Sequence, residues 1–423
     1  MKSNRSNVSP SHGTGETLNR GRFSARGAVA TTARIDVHSG ATHAEVRIDT
    51  GDAAAHRLRQ APRVHCGTAL SVTFALVFLA AATGAPANAQ SAAASEARVE
   101  SGDAVPHGKL IGAKPTKYPD WFKHSFLDLQ EDVEEARDAG RRPILFFHQD
   151  GCPYCNALIE QVIALDDVER EVRAHFDVIE MNMWGDREVL TIDGQTFTEK
   201  TFAAAMKVQF TPTLVFLGEQ GAPVLRLNGY VPAGKFRTAI DYVKDGHYQG
   251  ATFREFAGSA KQSPGGGAMT AQPFFMQPPY ILTRGSGSKP LAVFFERPGC
   301  AQCEALHRGP VKADETRALL ARFDVVQLDA WADTPVMTPD SRRTTAREWA
   351  EHLGVAYEPT IVYFDSMGTE VIRSEAFFKT FHVQSMMDYV LSGAWHEEPS
   401  FQRYISARAD RFLAQGIDVD IWN

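Results

Sequence analysis

Pro143-Ile144-Leu145-Phe146-Phe147-His148-Gln149-Asp150-Gly151-Cys152-Pro153-Tyr154-Cys155 decides the fold of this chain. A short apolar run suited to a buried strand is followed at once by a Cys-x-x-Cys pair that opens a helix. In disulfide exchange a thiolate attacks, and a second thiol must reach the mixed disulfide to release it. A two-residue spacer at a helix start provides both. The first Cys meets free backbone N–H groups and the positive end of the helix dipole, and the second lies a turn behind it. Pro153 suits the first helical turn because the N–H it lacks would go unpaired there.

The same arrangement returns 147–148 residues later. Cys300-Ala301-Gln302-Cys303 repeats the redox pair, and Ala305-Leu306 repeats Ala157-Leu158. Phe323-Asp324-Val325 repeats Phe176-Asp177-Val178. Trp331 with Asp333 repeats Trp184 with Asp186, and Pro359-Thr360 repeats Pro212-Thr213. Asp388-Tyr389-Val390 and Gly393 repeat Asp241-Tyr242-Val243 and Gly246. Matches in one order with a one-residue slip define a duplicated domain. The expected organisation is a signal-bearing extension at 1–89, a disordered spacer at 90–116 and a first domain at 117–258. A Gly-Ser-Pro linker at 259–271, a second domain at 272–405 and a tail at 406–423 follow.

Within the first copy, Asp128 to Ala139 reads as an acidic amphipathic helix with Leu129, Val133 and Ala136 on one side. Asp166 is expected to cap a helix running to Phe176, and Val178 to Met181 reads as a strand. Asp193-Gly194 between two short alternating runs signals a hairpin. Thr213 to Leu217 and Val224 to Leu227 read as paired strands, and a last helix runs from Pro232 to Val243. The second copy is expected to lack the Asp-Gly hairpin after Trp331, and its next helix has a capping box, Thr345 with Glu348. The fold class is therefore α/β, two tandem domains each with a mixed sheet flanked by helices.

The 423 residues carry a formal charge of −7, and ten of the Lys and Arg against five Asp and Glu fall in residues 1–89. The remainder is acidic, which argues against nucleic acid and anionic membranes as partners. The chain has five cysteines, four of them in the two pairs. Arg57, Arg59 and Arg63 precede an apolar run from Ala69 to Ala82, and Ala87-Asn88-Ala89 follows. These features predict a secretory signal cleaved before Gln90, export to the periplasm, and loss of Cys66 with the signal. The membrane is then touched only through this segment if it is retained. The polar preface of 56 residues is unusual for a signal, and a start at Val46 or Leu58 is expected.

Strand, Gly-Cys-x-x-Cys, helix and then Thr211-Pro212-Thr213 resemble the thioredoxin superfamily, as do Cys300 to Cys303 with Glu358-Pro359-Thr360. The Asp-Gly insert followed by Phe197-Thr198-Glu199-Lys200 resembles the periplasmic thioredoxins of sulfur oxidation. The resemblance implies that Cys152 and Cys300 are nucleophiles and that Cys155 and Cys303 resolve. It implies that Pro212 and Pro359 are cis, and that the backbone of Thr211 and Glu358 receives an extended substrate segment. It also implies protein thiol and disulfide substrates, an electron donor in the membrane as redox partner, and no organic cofactor or metal.

The sequence departs from that family where a buried Asp is usual six residues before the first Cys. Phe146 and Phe294 stand there, and His148 and Glu296 are the candidate proton-transfer groups. A Glu358 carboxylate roughly 6–8 Å from Cys300 would repel its thiolate by about 2–3 kcal/mol before screening, making Cys300 the less acidic nucleophile. Trp184 and Trp331 are expected as core or rim packing residues. A zinc ribbon would need its two pairs about 15–20 residues apart. The rival class is copper binding through the thiols, with His307 four residues beyond Cys303 as a further ligand.

Overall fold

The apolar runs ending at Phe147 and Phe295 become the central strands of two sheets in the computed structural model, which describes residues 107–259 and 268–422. The signal segment, Cys66, most of the spacer and the heart of the linker lie outside these residues. In the first half, helix α1 (Leu129–Asp138) leads to strand β1 (Arg142–His148), helix α2 (Pro153–Leu158), α3 (Asp166–His175) and β2 (Phe176–Asn182). A hairpin of β3 (Glu188–Leu190) and β4 (Thr196–Thr198) comes next. Helix α4 (Glu199–Ala205), β5 (Thr213–Leu217), β6 (Pro223–Asn228), α5 (Ala233–Lys244) and α6 (Phe253–Ser259) complete the half. The sheet order is β2-β1-β5-β6, with β1 and β2 parallel and the other pairings antiparallel.

The second half repeats the order. It comprises β7 (Leu291–Glu296), α7 (Ala301–Arg308), α8 (Asp314–Leu320), β8 (Asp324–Asp329), β9 (Pro335–Met337), β10 (Arg343–Thr345) and α9 (Ala346–His352). Strands β11 (Thr360–Phe364) and β12 (Glu370–Ser374) and helices α10 (Thr380–Ser392) and α11 (Phe401–Ala414) follow. The order β8-β7-β11-β12 matches the first sheet.

Burial on both faces explains why the central strands are continuously apolar. Ile144 and Phe146 face the redox-helix side, whereas Leu145 and Phe147 pack with Leu129, Val133 and Phe202 on the other. Phe294 and Phe295 divide in the same way. The two redox-side cores are one continuous apolar cluster. Phe210 of the first half lies 4.9 Å from Phe378 and 5.4 Å from Phe401 of the second, ring centre to ring centre. The Tyr357 hydroxyl donates to the Asn228 carbonyl and accepts from its N–H, both at 3.1 Å. The halves therefore dock through well-buried apolar rings as well as being joined by a linker.

Four expectations are corrected. Residues 406–422, expected as part of a tail at 406–423, are folded onto the domain: α11 buries Phe401, Ile405, Ala409 and Leu413 along one face, and Val419–Asp420 pairs in parallel with Leu110–Ile111. That pairing also ties residues 107–116 to the fold, so this part of the spacer is a structured segment, and the Lys114 carbonyl accepts from Asn156 Nδ2 at 3.1 Å. Leu165, not Asp166, is the N-cap of α3, and it makes no side-chain cap bond. The second copy does form a hairpin after Trp331, between β9 and β10. Thr338 and Asp340 repeat the Thr191–Asp193 hydrogen bond, and Ser341, with φ 66°, takes the left-handed position of Gly194. The turn chemistry was conserved in Thr and Asp, while the Gly was not.

Candidate redox sites

At the C-terminal end of β1 the chain turns through Gly151, whose φ of 72° suits only a residue without Cβ strain, and delivers Cys152 to the N-cap of α2. The Cys152 Sγ accepts from the Cys155 N–H at 3.1 Å. Cys300 is the N-cap of α7 in the same way, its Sγ accepting from the Cys303 N–H at 3.1 Å. Both pairs are closed as disulfides, with Cα–Cα distances of 5.3 and 5.2 Å. The first Cys of each pair is the more exposed, at 3% for Cys152 against 0% for Cys155 and 9% for Cys300 against 4% for Cys303. Thr211–Pro212 and Glu358–Pro359 are both cis. The Thr211 carbonyl oxygen lies 3.5 Å from Cys152 Sγ.

His148 and Glu296 occupy the last residues of the central strands, and both are buried, at 5% and 1% exposure. Each sits in an acid–imidazole pair. His148 Nε2 is 2.5 Å from Glu180 Oε2. That hydrogen bond comes first among the causes that hold the Glu180 carboxyl below its ordinary range, against the opposing effect of burial. Glu296 has its two oxygens 2.9 and 3.0 Å from His307 Nε2, and its Oε2 accepts from Gln327 Nε2 at 2.6 Å. The Nδ1 atoms of His148 and His307 are buried without a hydrogen-bond partner among the described residues. The sequence reading missed Glu180 and Gln327. The repeat pairs these two positions directly, on the strands next to the His148 and Glu296 strands, and that was the available signal.

Glu358 differs from expectation. Its carboxylate is nearly buried, accepts from Trp331 Nε1 at 2.9 Å, and faces Arg254 Nη1 at 3.4 Å and Arg297 Nε at 3.7 Å. Two guanidinium groups compensate it. The uncompensated charge that would make Cys300 less acidic than Cys152 is therefore not there. His307, the candidate copper ligand, spends Nε2 on Glu296. Among the described residues no group of three or more His, Cys, Asp or Glu side chains is disposed to hold a metal ion.

Each centre lies beneath the other half of the chain. Tyr154, inside the first Cys-x-x-Cys, accepts from the Lys379 N–H at 3.0 Å and lies 3.3 Å from His382 Nδ1. Burial pushes the Tyr154 phenol well above its ordinary pKa and the His382 imidazole down to about 4. Gln302, inside the second pair, stands 3.5 Å from Lys235 Nζ. Lys235 and His382 are repeat equivalents, as are Gln302 and Tyr154. Helices α5 and α10 thus each reach the other half's redox motif by one pseudo-symmetric contact. A pocket of about 410 Å3 remains beside Cys152 and one of about 360 Å3 beside Cys300. Trp331 lines the Cys300 pocket under Arg254, whereas Trp184, under Arg403, lies outside the Cys152 lining and donates from Nε1 to Gln149 Oε1 at 3.0 Å.

Two redox disulfides at helix starts, each opposite a cis proline on a mixed sheet, define the thioredoxin class of protein. The family described as the thioredoxin-like domain matches residues 129–244 and 280–391, and the chain belongs to it. It is a thiol–disulfide oxidoreductase with two tandem domains. A thioredoxin-fold protein from Helicobacter pylori is similar at 20% identity, over 31% of this chain and 91% of its own, with a TM-score of 0.26. A thioredoxin from Thermus thermophilus is 27% identical over 29% of this chain and 85% of its own, with a TM-score of 0.23. The periplasmic thioredoxin SoxS from Paracoccus pantotrophus is 24% identical over 25% of this chain and 97% of its own, with a TM-score of 0.17. No curated protein matches the chain.

Proposed function

We propose that the mature chain exchanges dithiol and disulfide with exported protein substrates, using Cys152 and Cys300 as nucleophiles and Cys155 and Cys303 as resolving thiols. The placement of both leading cysteines at helix N-caps carries this reading. There the Sγ receives a backbone N–H that favours the thiolate leaving group and nucleophile alike. A substrate thiolate attacks the leading sulfur, the intramolecular disulfide breaks, and the electron pair leaves on the resolving sulfur. A second substrate thiol then releases the mixed disulfide. His148 and Glu296, each held by a polar partner at the end of the strand that leads to its redox pair, serve as proton acceptors for the resolving thiols. The backbone of Thr211 and Glu358 positions the substrate segment. In the second centre the Glu358 carbonyl accepts from Lys235 Nζ at 3.2 Å, so substrate entry there displaces a contact from the first half.

With dithiothreitol as reductant the mature chain is expected to reduce insulin, and Cys152→Ser combined with Cys300→Ser to abolish the reaction. Full activity in that double variant would refute the assignment of nucleophiles. The segment from Arg57 to Ala89 supports export to the periplasm, where a membrane donor would replenish its electrons. N-terminal sequencing of the exported form should begin at Gln90, and a form that keeps Ala69–Ala82 would refute cleavage.

A further inference from the structure

The pockets beside the two disulfides carry opposite charge. The lining of the Cys300 pocket includes three cationic side chains, Lys235, Arg254 and Arg297, and one acid, Glu358. The lining of the Cys152 pocket includes no Lys or Arg and two acids, Asp150 and Asp410, among apolar and neutral polar side chains. The difference is systematic across the repeat. Arg297 stands where the first half has Gln149, Lys235 where the second half offers His382, and Arg254 where it offers Gln402. All three neutral counterparts line the Cys152 pocket. Two of the cations come from α5 and α6 and one from the loop before Cys300, so the charge is assembled by the docking of the two halves. The lining of this partly open space next to a disulfide thus holds three cations against one acid, in a chain whose net charge is negative.

We infer that the Cys300 pocket is a binding site for a thiol or disulfide that carries carboxylates, and that the Cys152 pocket rejects such a molecule. The inference rests on the exchange chemistry proposed above. Partly enclosed walls weaken solvent screening, so a carboxylate that enters beside Lys235 and Arg297 gains more there than at an open surface. In the reducing direction, a carboxylate-bearing thiolate attacks Cys300 Sγ. An R–S–Sγ bond forms, the Cys300–Cys303 bond breaks, and its electron pair leaves on Cys303, which takes up the proton released by the incoming thiol. A second molecule displaces Cys300 and leaves as the small disulfide. Two thiols thereby lose two electrons and the protein disulfide gains them.

The test uses the full mature chain with one centre disabled, as Cys152→Ser with Cys155→Ser or as Cys300→Ser with Cys303→Ser. Reduction rates per thiolate are measured with mercaptosuccinate, neutral 2-mercaptoethanol, cationic cysteamine and a cysteine peptide flanked by glutamates. The mercaptosuccinate-to-mercaptoethanol ratio should be about tenfold higher at Cys300 than at Cys152, on the order of one partly screened charge contact. Lys235→Gln with Arg297→Gln should bring the two ratios together. So should about 1 M salt, where charges are screened beyond roughly 3 Å, and this arm needs no substitution. Equal ratios at the two centres, a preference for cysteamine at Cys300, or a preference untouched by both the variant and salt would overturn the inference. An acidic peptide as fast as mercaptosuccinate would place the carboxylates on a polypeptide, and a slower one would place them on a small molecule. Failure of every thiol, the neutral one included, would instead refute exchange at that centre.

Discussion

Cys152 and Cys300 take their positions from local chemistry: a strand that ends, a glycine turn, and a helix whose first N–H groups need an acceptor. The groups around them are less local. His382 comes from the second half, yet it sits 4.9 Å from the Tyr154 ring inside the first redox motif, with Phe378 at 6.0 Å. Its pKa falls from 6.5 to about 4 because burial disfavours the charged imidazole. Between those values the unfolded chain binds more protons than the folded one, so stability is full above pH 6.5 and is lost as pH falls toward 4. The loss amounts to up to about 3 kcal/mol at 1.36 kcal/mol per unit. Denaturant midpoints measured from pH 7 to pH 4 should show this limb, and His382→Phe should flatten it. An identical pH slope in the variant would exclude His382 as the cause.

Helices α6 and α11 do at the element scale what the linker was expected to do alone. A Cβ on Gly258 of α6 would stand 2.5 Å from Trp331 Cη2, closer than such contacts occur, so the missing side chain is what lets α6 lie on the indole. That indole in turn holds Glu358 beside Cys300. Gly258→Ala would ordinarily gain up to about 1 kcal/mol of helix propensity. Here it should instead loosen α6 and speed alkylation of reduced Cys300 severalfold while leaving Cys152 unchanged. Unchanged labelling at Cys300 would show that α6 does not control access. The elements themselves were largely legible, because strand patterns, the capping box at Thr345 and the Asp193-Gly194 turn are short-range signals. Helices α6 and α11 were both missed, since the last helix was expected to end at Val243, and the apolar face of α11, Ile405, Ala409 and Leu413, has no counterpart in the shorter α6 with which it pairs in the repeat.

For the whole molecule, the duplication, the four redox cysteines and the two proline positions could be read from residues near one another or repeated at a fixed shift. The docking of the halves could not. Arg254 reaches Glu358 across 104 positions and Tyr154 meets His382 across 228, and neither residue type announces such a partner. This is why the expected repulsion at Cys300 dissolves into a compensated cluster, and why two centres alike in sequence lie beneath different surfaces. What both retain is a leading sulfur more exposed than its partner. The account's central claim is that Cys152 and Cys300 are the attacking sulfurs, and trapping tests it most directly. In a chain carrying Cys155→Ala and Cys303→Ala, resolution is blocked and a disulfide-containing peptide should accumulate as mixed disulfides. Mass spectrometry should map these to Cys152 and Cys300; a chain that forms no adduct at either sulfur would contradict the account.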